Sequence, residues 1–185
     1  MGEVPEAELV QTEAGRRVEG EGWFVLNVAD AVWETTQRGG TWSLLEADEP
    51  RFEQFGIGVH VLLKGEMPGF YHAESAQEGF LVLSGECLAI VEGQERRMRQ
   101  WDYLHCPPGT RHITVGTSEE PCAILMVGTR MKGKTITYPV DPVAAAHGAS
   151  VQYEAHNAPD AYAQWQGPRT FTRVAAPWPP APSAA

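Results

Sequence analysis

The sequence predicts an all-β protein, an antiparallel sandwich or barrel. Three observations carry that expectation. Runs of alternating apolar and polar residues recur between positions 55 and 129, Gly and Pro turns separate them, and no long helical pattern intervenes. At 185 residues the chain is long enough for one domain with a substantial core and too short for two ordinary ones.

Residues 1–20 are polar and rich in Glu, Gly and Ala, which predicts a loose tail. Residues 21–54 form an N-terminal segment. In it 23–28 reads as a strand, 30–34 as a turn or helix start, and 41–45 as a second strand. Residues 55–138 form the β-rich centre. Its first run, 55–64, places Ile57, Val59, Val61 and Leu63 on one face and Gly58, His60, Leu62 and Lys64 on the other. Residues 65–69 turn the chain, 79–83 is a strand ended by Ser84-Gly85, and 87–91 is the next. Glu92-Gly93-Gln94 suits a tight hairpin turn into 95–99. Runs at 101–106, 112–116 and 122–128 complete the series. Residues 139–185 form a C-terminal extension with two short helices. One starts at Asp141-Pro142 and stops before Gly148; the other covers 158–165, with Pro159 and Asp160 at its start. The last residues, 175–185, are rich in Pro and Ala.

A net charge of −10 argues against a nucleic-acid partner, whose phosphates require Lys and Arg, and against an anionic membrane surface. No apolar run approaches the roughly 20 residues that span a bilayer. The first 17 residues lack the basic start and apolar block of a signal peptide. Cys87, Cys106 and Cys122 are odd in number and form no CxxC pair, so they read as buried thiols in a reducing compartment, the cytoplasm.

The chemistry concentrates in two clusters, His72-Ala-Glu74-Ser-Ala-Gln-Glu78 and Pro107-Pro-Gly109-Thr-Arg-His112, each beside a strand-like run. Two histidines and two carboxylates meeting from neighbouring strands make a hard-to-borderline divalent metal site. Residues i and i+2 of a strand share a face, so His72 and Glu74 can both point inward. Pro107-Pro-Gly109 sets a sharp turn ahead of His112.

Together the clusters resemble the cupin superfamily over roughly residues 55–130. The family's first motif is a Gly-rich turn, His-x-His, a Glu three or four residues on, then a Gly. Here His72, Glu74, Glu78 and Gly85 fill those places. Its second motif is Gly-x5-Pro-x-Gly-x2-His-x3-Asn, matched by Pro107, Gly109 and His112. Trp101 replaces the first Gly, where it is expected to close the barrel end, and Gly116 replaces the Asn. The resemblance implies a jelly-roll barrel with His72, Glu74, Glu78 and His112 around one divalent ion per chain. Glu74 takes the place of the usual second His, either as a ligand or as a general base beside the metal. Exchanging an imidazole for a carboxylate favours Fe, Mn or Ni, with Zn possible.

Other candidates belong to the surroundings. His60 and His105 suit packing or cavity-wall positions, and His147 and His156 suit solvent. Tyr71, Trp101, Tyr103 and Arg111 suit a cavity or rim, and Arg96, Arg97 and Arg99 a solvated hairpin face. The resemblance implies a metal-dependent enzyme, a dioxygenase, decarboxylase or isomerase acting on a small oxygen-rich molecule. The competing reading is a non-catalytic metabolite-binding protein anchored by the metal; a purely structural metal is the third. Trp23, Trp33 and Trp42 exceed what a short extension buries alone, which predicts either a homodimer through a donated strand or a segment folded back on its own barrel.

Overall fold

The structure, a computed structural model, describes residues 2–165 and 170–178. Its strands are β1 (Glu8–Thr12), β2 (Gly15–Glu19), β3 (Trp33–Thr36), β4 (Gly40–Leu44), β5 (Phe55–Leu62), β6 (Ala73–Glu74) and β7 (Glu78–Ser84). They continue with β8 (Glu86–Val91), β9 (Gln94–Arg99), β10 (Tyr103–Cys106), β11 (His112–Gly116), β12 (Cys122–Thr129), β13 (Ile136–Thr137) and β14 (Thr172–Val174). Two short helices, α1 (Pro142–Ala146) and α2 (Ala158–Tyr162), follow β13. No helix among the described residues is long and apolar enough to cross a membrane.

A large antiparallel sheet runs β10-β7-β12-β5-β4-β3-β14, and a smaller one runs β11-β8-β9. Leu62, Phe80, Val82 and Ile124 of the first pack against Cys87, Ala89 and Met98 of the second, forming the interior between the sheets. The alternation in β5 separates two layers. Leu62 enters this interior, whereas Val59 and Val61 pack on the opposite face with Trp33 and Ala123. The outer face of the small sheet, through Leu88, Ile90, Ile113 and Val115, is covered by Met67, Tyr71, Ala144 and Ala149. The C-terminal extension therefore completes the hydrophobic shell around the barrel.

Local signals account for the hairpins and helix starts. Glu92 and Gly93 take φ of 49° and 68°, as the tight β8–β9 turn requires. Asp141 caps α1 by accepting from Ala144 N–H at 2.8 Å, and Asn157 caps α2 by accepting from Asp160 N–H at 2.9 Å. Gly116 stands where the family motif has Asn because its backbone abuts Leu63. A Cβ there would lie 2.0 Å from the Leu63 carbonyl oxygen.

Three expectations are corrected, and one strand is unforeseen. Residues 8–19 form the β1–β2 hairpin rather than a loose tail, stabilised by Val18 packing with Ala7 and Ala47. Residues 23–28 form no strand. Trp23 makes one isolated bridge to Glu6, while Phe24 and Leu26 pack on the hairpin cluster and Val25 faces solvent. Trp101 does not close the barrel end: it is 68% exposed, with φ of 73°. Strand β14 was not expected; it pairs with β3 along the sheet edge. Of the residues expected to form the Pro/Ala tail, 179–185 lie outside the described residues.

Two of the three N-terminal tryptophans fold back on their own chain. Trp33 is fully buried beside Val59 and Val61, and Trp42 stacks on His60. Trp23 stays half exposed.

Candidate metal centre

His72 and His112 meet across a pair of reciprocal backbone bonds, His72 N–H to His112 O at 3.1 Å and His112 N–H to His72 O at 2.8 Å. This bridge joins the turn before β6 to the start of β11 and sets the ring centroids 4.8 Å apart. Glu78 opens β7 on the facing sheet. One ligating atom from each of His72, Glu78 and His112 falls within 4.8 Å of the others. Phe80 flanks the His112 ring at 5.1 Å and Tyr138 the His72 ring at 5.7 Å.

The hydrogen bonds fix which histidine atoms point into the cluster. His72 Nδ1 lies 2.7 Å from Phe70 O, and His112 Nδ1 lies 3.0 Å from Thr110 O. A carbonyl oxygen only accepts, so each Nδ1 carries its hydrogen and each Nε2 presents a lone pair. This is the arrangement that orients metal-binding imidazoles.

The inner atoms are left unsatisfied. Glu78 Oε2 and His112 Nε2 are both buried without a hydrogen-bond partner, 3.4 Å apart. Unpaired buried polar atoms are costly, and two facing acceptors have nothing to share without a proton or a cation. Two ligands each about 2.1 Å from one ion sit about 3.0–3.4 Å apart at octahedral to tetrahedral angles. The residues therefore fit a divalent cation.

Electrostatics agree with the geometry. Burial, assisted by neighbouring His72, lowers His112 to about 4, and burial also lowers His72. Burial, reinforced by the charge of Glu74, lifts Glu78 to about 7. Near neutrality both imidazoles are neutral, as ligation requires, and Glu78 is poised to exchange a proton for a metal.

Glu74 falls outside this grouping. Its Oε2 lies 2.7 Å from Lys134 Nζ, and the carboxylate is 12% exposed. Sequence reasoning missed Lys134, which lies well beyond both motifs. It missed Tyr138 for the same reason. Thr114, on the same face of β11 as His112, also carries a buried hydroxyl with no partner.

The remaining candidates take other places. His105 faces outward and is exposed; Cys106, its neighbour, is buried opposite Glu78 in the β10–β7 register. Burial, then the charge of Glu78, pushes the Cys106 thiol up to about 12, so it stays protonated. His60 is a packing residue: its ring stacks on Trp42 at 6.0 Å, and burial lowers it to about 4. Tyr71 is wholly buried and its hydroxyl accepts from Gly93 N–H at 2.9 Å, a structural role. Arg111 is forked onto Glu92 at the surface. His147 lies 2.7 Å from Glu95, and His156 is solvated.

Two facing antiparallel sheets enclosing a His/Glu cluster define a β-barrel with the side-chain set of a metal centre. Comparison with known proteins relates that barrel to the cupin fold. Residues 58–128 match the family described as Cupin domain, a range that holds His72, Glu78 and His112 and excludes Lys134. The fold is shared with a sugar phosphate isomerase of the cupin superfamily from Silicibacter pomeroyi, at 21% identity and a TM-score of 0.50, over 72% of this chain and 80% of that one. It is also shared with the polyketide cyclase RemF from Streptomyces resistomycificus, at 16% identity and a TM-score of 0.51, over 58% and 79%. No curated protein matches. The chain is a cupin-fold protein.

Proposed function

We propose that this protein is a metal-dependent enzyme acting on a small oxygen-bearing organic molecule, with one divalent ion held by His72, Glu78 and His112. The observation that carries the reading is the pair of buried, partnerless atoms Glu78 Oε2 and His112 Nε2, beside histidines whose Nδ1 atoms are already committed. Bound there, a divalent ion supplies Lewis acidity to an oxygen ligand. Two imidazoles with one carboxylate is the donor set of non-haem Fe(II) oxygenases, which places iron first, ahead of Mn, Ni and Zn.

The chain's own residues do the rest. The bonds from His72 and His112 to Phe70 O and Thr110 O hold the rings in place. Phe80 and Tyr138 narrow the space around them and limit water. Glu74, held beside the trio and outside it, is the acid–base group. The buried, unpaired Cys87, Cys106 and Cys122 support a reducing compartment.

The test is metal analysis of protein purified without added metal, followed by oxygen-uptake and isomerisation assays on diols, β-diketones and keto acids. One equivalent of metal, and turnover that disappears in His112→Ala, is the expected result. A tightly held metabolite with no turnover points to a binding protein instead. Absence of metal, with none taken up on addition, refutes the proposal.

A further inference from the structure

Glu74 lies two residues after His72, in the short strand β6, yet its carboxylate is turned to Lys134. The lysine is held there by its neighbours. Thr135 donates its N–H to Ser75 Oγ at 2.8 Å and accepts from Ser75 N–H at 3.0 Å, and Ile136 pairs with Glu74 across β13 and β6. The two-stranded β13–β6 ladder thus clamps the ammonium onto the carboxylate. In the cluster itself, the unsatisfied atoms belong to Glu78 and His112, while Glu74 Oε2 is already bonded at 2.7 Å.

We propose that Lys134 is a positioning residue that withholds Glu74 from the metal, so that the ion receives two imidazoles and one carboxylate rather than a fourth protein ligand. The proposal rests on reading His72, Glu78 and His112 as the metal centre. A competing cation is the physical device: the carboxylate is neutralised by the ammonium in a partly buried ion pair, and only loss of that partner frees it for the ion. The consequence is an extra open coordination position with an uncoordinated carboxylate beside it, both of which an acid–base reaction on a metal-bound substrate uses.

The experiment is a double-mutant cycle read by Co²⁺ titration calorimetry and by the Co²⁺ visible spectrum, which reports coordination number. Glu74→Gln should bind Co²⁺ within about threefold of the wild type, with the same spectrum. Lys134→Met should bind about tenfold tighter or more and shift the spectrum toward higher coordination. Lys134→Met/Glu74→Gln should return to the affinity and spectrum of Glu74→Gln, and Lys134→Arg should resemble the wild type. Lys134 is 36% exposed, so its replacement leaves the core intact, and a thermal melt of each variant verifies folding.

A loss of about tenfold or more in Glu74→Gln alone makes Glu74 a ligand and overturns the proposal. So does a Lys134→Met gain that persists undiminished in the double variant, because that is general charge attraction. His112→Ala separates the two levels. Retained Co²⁺ binding there removes the metal reading beneath; lost binding, with no coupling between positions 74 and 134, removes only the role of Lys134.

Discussion

Metal affinity should fall steeply below pH 7 through a single proton. Glu78 is lifted to about 7, whereas His112 is lowered to about 4 and His72 is also lowered. Glu78 is therefore the member of the trio whose protonation changes around neutrality. An ion that needs the carboxylate must displace its proton, so affinity drops about tenfold per pH unit once pH is below 7, equivalent to about 1.4 kcal/mol per unit. From pH 8 to pH 6 the expected loss is about tenfold, and from pH 8 to pH 5 about a hundredfold. Calorimetric Mn²⁺ titrations in buffers of different ionisation enthalpy measure both the affinity and the protons released. The expected release is about one proton per ion at pH 6 and close to none at pH 8. Affinity flat from pH 5.5 to 8, or a release that persists in Glu78→Gln, refutes the reasoning.

Three further outcomes follow from particular residues. In the metal-free protein the raised Glu78 stabilises the fold at low pH and loses that contribution as pH rises through about 7; Glu78→Gln should therefore be about 1–3 kcal/mol more stable than the wild type at pH 8 by urea melt, yet fail to bind metal. Trp101 is a bulky residue in left-handed backbone and buries little, so Trp101→Gly should raise stability by about 1 kcal/mol; an equal loss would show that the side chain contributes packing. Burial alone lifts the Glu46 carboxyl, but bonds from Arg130 and from Phe52 N–H outweigh it and hold the group below its ordinary value. Glu46→Ala should cost about 2–3 kcal/mol at pH 7, a difference that shrinks as pH falls through the depressed value, because the wild-type pair is then lost too.

The parts of the fold legible in the sequence are those set by local chemistry. Strands β5, β7, β8, β9, β11 and β12 announce themselves by alternation or by the Gly and Pro turns at their ends, and α1 and α2 by a Pro just inside their starts. The parts that escaped depend on distant partners. Residues 23–28 read as a strand because they are almost wholly apolar, but Phe24 and Leu26 instead lay an extended loop on the β1–β2 hairpin. Strand β14 exists because β3 offers it an edge.

The site divides in the same way. His72, Glu78 and His112 were legible because family spacing fixes them, and they converge. Lys134 has no motif, and nothing in the chain announces that the β13–β6 pairing carries it to Glu74. His105 faces outward instead of lining the cavity because the strand parity of β10 is set by its register on β7.

Anomalous diffraction from crystals grown with Mn²⁺, recorded on both sides of the manganese absorption edge, shows directly whether the barrel holds an ion. The expected result is one strong peak per chain at bonding distance, about 2.0–2.3 Å, from His72 Nε2, His112 Nε2 and a Glu78 oxygen, with Glu74 still on Lys134. A barrel interior without a peak, or a peak held by other residues, would contradict it.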